Sequence, residues 1–119
     1  MQLHKMAAMK YLITFSLLIL ATTLEAGGDA TVRVGLYHAS SLTRILLMMV
    51  GAAMLFCYGL TLNLAPVDWG RLIGAYVATF FLIAQIINLV AFRTPPSLPI
   101  IVGGLFILTG GAIITLWQR

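Results

Sequence analysis

Glu25, Asp29 and Arg33 stand at intervals of four in a stretch that is otherwise almost free of charge. Glu25 follows an uncharged run from Tyr11 to Leu24 that reads as membrane-buried helix. At about 1.5 Å of rise per residue, the path from Tyr11 carries Glu25 roughly 21 Å along the axis, still inside a hydrocarbon core of about 30 Å. A carboxylate at such a depth costs about 2.5 kcal/mol or more, so an intramembrane acid is a candidate for binding a proton or a cation. Asp29 is spaced to share a face with both Glu25 and Arg33, and Asp29 before Arg33 is the favourable order for a helical ion pair. The two are expected as a supporting pair, neutralised near the membrane surface, rather than as the centre of a site.

The setting of these residues is fixed by composition. With 61% hydrophobic residues, 8% charged and a mean hydropathy of +1.06, the 119 residues hold too little polar surface to coat a soluble domain. An integral membrane protein follows, with lipid as its surroundings. The net charge of +4 comes from seven basic residues scattered singly at span ends, which excludes a nucleic-acid footprint. Cys57 lies alone in an apolar run and is expected as a small buried apolar residue. No Cys/His metal spacing, phosphate-cradling glycine loop or nucleophile motif is present, so neither an enzyme nor a cofactor or metal site is expected, and His4 and His38 are read as solvated residues at span edges.

Four elements must position the acid. Hydropathy and breakers place spans at about 11–36, 42–64, 69–92 and 98–117, all helical because hydrocarbon leaves no other partner for backbone N–H groups. The links Tyr37 to Ser41, Ala65 to Asp68 with Pro66, and Arg93 to Ser97 with Pro95 and Pro96 are short. Neighbouring helices are therefore antiparallel, and the fold class is an all-α membrane protein, one up-down-up-down four-helix domain over 1–119 with both termini on one side. Tyr11, Trp69 and Trp117 fall on that terminal side as an aromatic belt. The cluster His4, Lys5 and Lys10 before an apolar run also has the look of a signal peptide cut after Ala26, but Leu24-Glu25-Ala26 is a poor small-x-small junction and the helical pattern runs on through it. Basic residues hardly vote on orientation: Lys5, Lys10, Arg71 and Arg119 on the terminal side face Arg33, Arg44 and Arg93 on the other. If translation starts at Met9, Lys5 is lost and the two sides balance. Such balance suits a chain that inserts both ways and pairs with an inverted copy.

The residues resemble a known family. Glu25-Ala26-Gly27-Gly28 with Arg33 looks like the first helix of small multidrug resistance transporters, where a buried Glu is followed by Gly and then Lys at corresponding spacing. The run Pro99 to Ile114, with Gly103 and Gly110, is similar to the last helix of that family, and Leu55 to Leu62 with Gly70 to Tyr76 is closer to the YnfA branch of the same drug/metabolite transporter superfamily. These matches run from about Leu24 to Thr115.

The resemblance implies an antiparallel homodimer in the cell inner membrane, one Glu25 from each subunit facing a shared chamber that takes protons or a small organic cation in exchange. Low dielectric favours the neutral form of any carboxyl, which is compatible with such an exchange. Tyr76 matches the aromatic position of the third helix and is expected to face substrate, as is Gly28. The second helix has Gly51 or Ala52 where multidrug members carry another substrate-facing Tyr, so a thinner aromatic cage is expected. Gly103 and Gly110 match the dimer contact, with Gly104 and Gly111 forming a parallel stripe and Gly70 and Gly74 a shorter one on the third helix. Gln85, Asn88 and Asn63 are expected to join helices by hydrogen bonds. The alternative reading is a non-transporting accessory subunit, or half of a heteromeric lipid-carrier translocator.

Overall fold

In a computed structural model that describes residues 1–117, all regular structure is helical: α1 (Gln2–His38), α2 (Ser41–Leu62), α3 (Trp69–Ala91) and α4 (Leu98–Leu116). Arg119, counted above on the terminal side, lies outside the described residues. Each of the four helices is long and apolar enough to cross a membrane. Large apolar side chains such as Phe106, 76% exposed, and Val90, 72% exposed, point outward, as suits a surface surrounded by lipid. The chain is a multi-pass membrane protein.

The starts of α2, α3 and α4 fall within a residue of their expected positions, but α1 begins at Gln2 rather than Tyr11. Leu3, Lys5, Met6, Ala7, Ala8, Met9 and Lys10 are strong helix formers with no Gly or Pro among them, so nothing stops the helix at the membrane boundary. All of these residues are exposed. Cys57 is also exposed, on the outer side of α2 rather than buried.

The turns are held by specific bonds. Only Ala39 and Ser40 separate α1 from α2, and Arg44 reaches back across them, Nε donating to the Gly35 carbonyl at 3.1 Å and Nη2 to the Ala39 carbonyl at 3.1 Å. A cation on the last carbonyls of α1 satisfies orphan acceptors and suits the helix dipole. At the far end of the molecule the Asp68 side chain caps α3 by accepting from the Arg71 N–H at 3.0 Å, and the Arg71 guanidinium donates to the Trp117 carbonyl at 3.3 Å. On the Arg44 side, the Thr94 N–H donates to the Asn88 carbonyl at 3.1 Å, turning the chain into Pro95 and Pro96.

Small residues decide which helices approach. Gly28 of α1 meets Gly51 of α2, where a Cβ on Gly51 would stand 3.0 Å from the Gly28 carbonyl oxygen and 2.6 Å from Val32 Cγ2. Gly111 packs on Ala78 of α3 so closely that a Cβ there would collide with the Ala78 methyl. Gly103 and Gly110 face the other way, with nothing within 4 Å of a Cβ at either. α1 packs on both α2 and α3, while among the described residues α4 packs on α3 alone. The four-helix assembly is thus an opened row in the order α2, α1, α3, α4. Its apolar centre, Leu18, Ala21, Leu62, Leu72 and Tyr76, lies where α1, α2 and α3 meet.

The two glycine stripes of α4 should respond oppositely to bulk. Gly111→Leu is expected to lower the thermal midpoint in detergent, since overpacking costs about 1–3 kcal/mol. In monomeric protein Gly103→Leu should leave it unchanged, and comparison of the two melting curves checks the orientation of α4.

Candidate functional site

The site begins at the join of α1 and α3. Tyr76, 7% exposed, donates its phenol O–H to Glu25 Oε1. Its ring stacks with two others, Tyr58 of α2 at 5.7 Å between centroids and 29° between planes, and Phe80 of α3 at 5.9 Å and 23°. Tyr76 and Phe80 are one turn apart on α3, which puts both rings on the face turned to α1. Leu18, Ala21, Leu62 and Leu72 pack around Tyr76 in the same apolar centre.

The chemistry of this pair follows from its medium. A hydrogen bond to an ionised group contributes about 1.5–3 kcal/mol, enough to offset much of what a carboxylate costs at this depth. When Glu25 is protonated, the carboxyl and the phenol can still share a hydrogen bond, so the partner serves either form. The stacked rings add negative faces beside the acid, and an organic cation over such a face gains about 2 kcal/mol when desolvated.

A cavity of about 790 Å³ opens toward the Tyr37 to Ser41 side of the molecule. Ala26 and Phe80, next to Glu25 and stacked on Tyr76, line its inner end, and Asp29, Arg33, Gln85 and Asn88 line its walls. A smaller, apolar cavity of about 210 Å³ lies toward the terminal side, lined by Leu18 and Leu72 together with Thr14 and Arg71. The layer that contains Tyr76 therefore stands between a wide polar cavity and a narrow apolar one.

Of the residues singled out in the sequence, Glu25 and Tyr76 come together directly. Gly28, expected to face substrate, is packed in the α1–α2 contact, because its missing side chain makes room for Leu55 and Gly51. Asp29 and Arg33 share the cavity wall, yet the Arg33 guanidinium lies over the Tyr37 ring, 5.2 Å from its centroid, instead of pairing with Asp29. Gly103 and Gly110 are on the outer face of α4, away from the site and free to meet another chain. Gln85 and Asn88 line the cavity rather than joining helices, and Gln85 Oε1 is shielded without a hydrogen-bond partner among the described residues. Asn63 donates to the Gly59 carbonyl of its own helix at 2.8 Å. Among the described residues no group of three or more His, Cys, Asp or Glu stands together as a metal site would require.

Tyr58 is the residue that sequence reasoning missed. It brings a ring from α2, about two turns beyond Gly51 and Ala52, against Tyr76. The available signal was a tyrosine, an apolar body with a polar tip, in the interior of a membrane span.

Tyr76→Phe keeps the ring stack and deletes the hydrogen bond. It should destabilise the detergent-solubilised protein by about 1–3 kcal/mol. In a Glu25→Gln background the same change should cost less, and a double-mutant cycle on denaturation midpoints measures the coupling. No family model, no curated protein and no solved structure matches the chain.

Proposed function

We propose that the chain is a proton-coupled transporter of the cell inner membrane that exports a small organic cation and works as an antiparallel homodimer. The observation that carries this reading is Glu25 within the apolar span α1, bonded to Tyr76 of an aromatic stack whose layer lies between two cavities. An acid so placed is tolerable when it is neutralised, and two species can do this: a proton, or a cation small enough to reach it. Binding one releases the other. Tyr76 holds the carboxyl in position during the exchange, and the half-buried Tyr58 and Phe80 rings stacked with it offer the cation a face in place of water.

In a single chain the wide cavity opens toward one face of the membrane. Pairing with an inverted copy gives the second face and supplies the inverted-repeat symmetry that larger transporters build into one chain. The open side of α4, where Gly103 and Gly110 leave room for close helix approach, is the dimer contact in this reading. No chemical bond is made or broken, so the protein acts without being an enzyme. It draws its driving force from the proton gradient.

The purified chain, reconstituted alone into liposomes with a proton gradient, is expected to dissipate that gradient on addition of a guanidinium or quaternary ammonium compound. Glu25→Gln keeps shape and hydrogen bonding but cannot titrate, and should abolish the coupled flux at normal expression. Glu25→Asp should retain a weakened flux, and Asp29→Asn a flux closer to that of the unaltered protein. Normal flux in Glu25→Gln with none in Asp29→Asn would mean that Asp29 is the coupling acid. Flux insensitive to both favours the accessory-subunit or heteromeric lipid-carrier reading.

Gly110→Leu tests the dimer. Crosslinked dimer should fall severalfold while membrane insertion stays constant, and a full yield of dimer would move the contact to another face.

A further inference from the structure

The wide cavity carries charges that the exchange at Glu25 does not use. Asp29 and Arg33 lie one turn apart on α1, about 6 Å along the axis. They line the same cavity without pairing, because the Arg33 guanidinium is held over Tyr37. Across from them on α3, Gln85 Oε1 is an acceptor with no donor among the described residues, and Asn88 adds an amide beside it. A volume of about 790 Å³ falls in the range of pockets for sizeable ligands, well above what a small cation fills.

From this arrangement we infer that the wide cavity is a second binding site, separate from Glu25, for a zwitterionic group. Its ammonium end meets Asp29 and draws the shielded Gln85 Oε1 outward to accept from it, and its phosphate or carboxylate end meets Arg33. Each half of the charge pattern rejects a ligand of single sign. A lone cation drawn to Asp29 would lie one turn from the guanidinium of Arg33, and a lone anion on Arg33 would lie one turn from the carboxylate of Asp29. A ligand that brings both charges satisfies both walls, and the Tyr37 ring holds Arg33 in place to receive it. The same chemistry is offered by a soluble zwitterion and by the headgroup of a zwitterionic phospholipid.

The test uses the full chain with Glu25→Gln, so that no cation is taken up at that acid. In phospholipid-free detergent, calorimetric titration should find phosphocholine bound at least about tenfold more tightly than choline or inorganic phosphate, the ratio expected when a second charge-assisted contact is added. R33Q and D29N should each weaken phosphocholine about tenfold or more, whereas R33K should keep most of the affinity. If R33Q does not fold, Gln85→Met takes its place and should weaken binding severalfold. Repeating the titration in nanodiscs identifies the source. Loss of the phosphocholine signal in phosphatidylcholine discs, with its retention in phosphatidylglycerol discs, assigns the site to a lipid headgroup; an equal signal in both assigns it to a soluble zwitterion. Choline or phosphate binding as tightly as phosphocholine, affinity indifferent to both D29N and the Arg33 or Gln85 change, or no binding in detergent would each overturn the inference.

Discussion

The arrangement depends on how one carboxyl group is satisfied in a medium that offers it nothing. Hydrocarbon offers a carboxyl no partner, so within a span the chain must help to satisfy it, and the phenol of Tyr76 donates to Glu25. That bond ties α1 to α3 at a defined height and aligns the two helices in parallel. The apolar layer of Leu18, Ala21, Leu62 and Leu72 closes on the terminal side of the pair. On the other side the same two helices carry Asp29, Arg33, Gln85 and Asn88 along the walls of the wide cavity. The height of the barrier and the polarity of what lies beyond it are thus consequences of one polar contact.

Small residues set the rest. Association of helices in lipid gains little from the hydrophobic effect, so van der Waals fit selects partners, and fit is best where backbones come close. Gly28 against Gly51 draws α2 onto α1, and Gly111 against Ala78 draws α4 onto α3. Neither contact draws α2 toward α4, and the four helices stay in an open row. A row leaves long apolar flanks, and the flank of α4 that carries Gly103 and Gly110 exposes backbone that another helix can approach.

Much of this is legible in the sequence, for particular physical reasons. Pro66 with Asp68, and Pro95 with Pro96, punctuate the chain strongly enough that α3 and α4 start where expected. No such signal precedes Tyr11, and α1 runs on to Gln2. Glu25 is conspicuous because its cost in hydrocarbon is high, and Tyr76 because its position matches an aromatic one in a resembling family. Their contact is another matter: they are 51 residues apart, and one-dimensional spacing says nothing about pairs on different helices. Gly28 shows the same limit, since a glycine near an acid reads equally as room for a ligand or as room for a helix. Arg44 looked like one charge in an orientation count, and only the tight turn after His38 makes it a clasp on the carbonyls of α1.

The unequal lengths of the helices bear on the membrane itself. α1, at 37 residues, is about 55 Å long, far more than a hydrocarbon core of about 30 Å, so a thicker bilayer simply immerses another of its turns. α4, at 19 residues, is about 28 Å and has no such reserve. Hydrophobic mismatch therefore falls on α4, which can meet it by standing more upright, by thinning the lipid around it, by snorkelling of its flanking residues or by pairing with another helix. Since among the described residues α4 packs on α3 alone, bilayer thickness acts on this molecule through the tilt of an outer helix, and leaves the α1–α3 contact to its own chemistry.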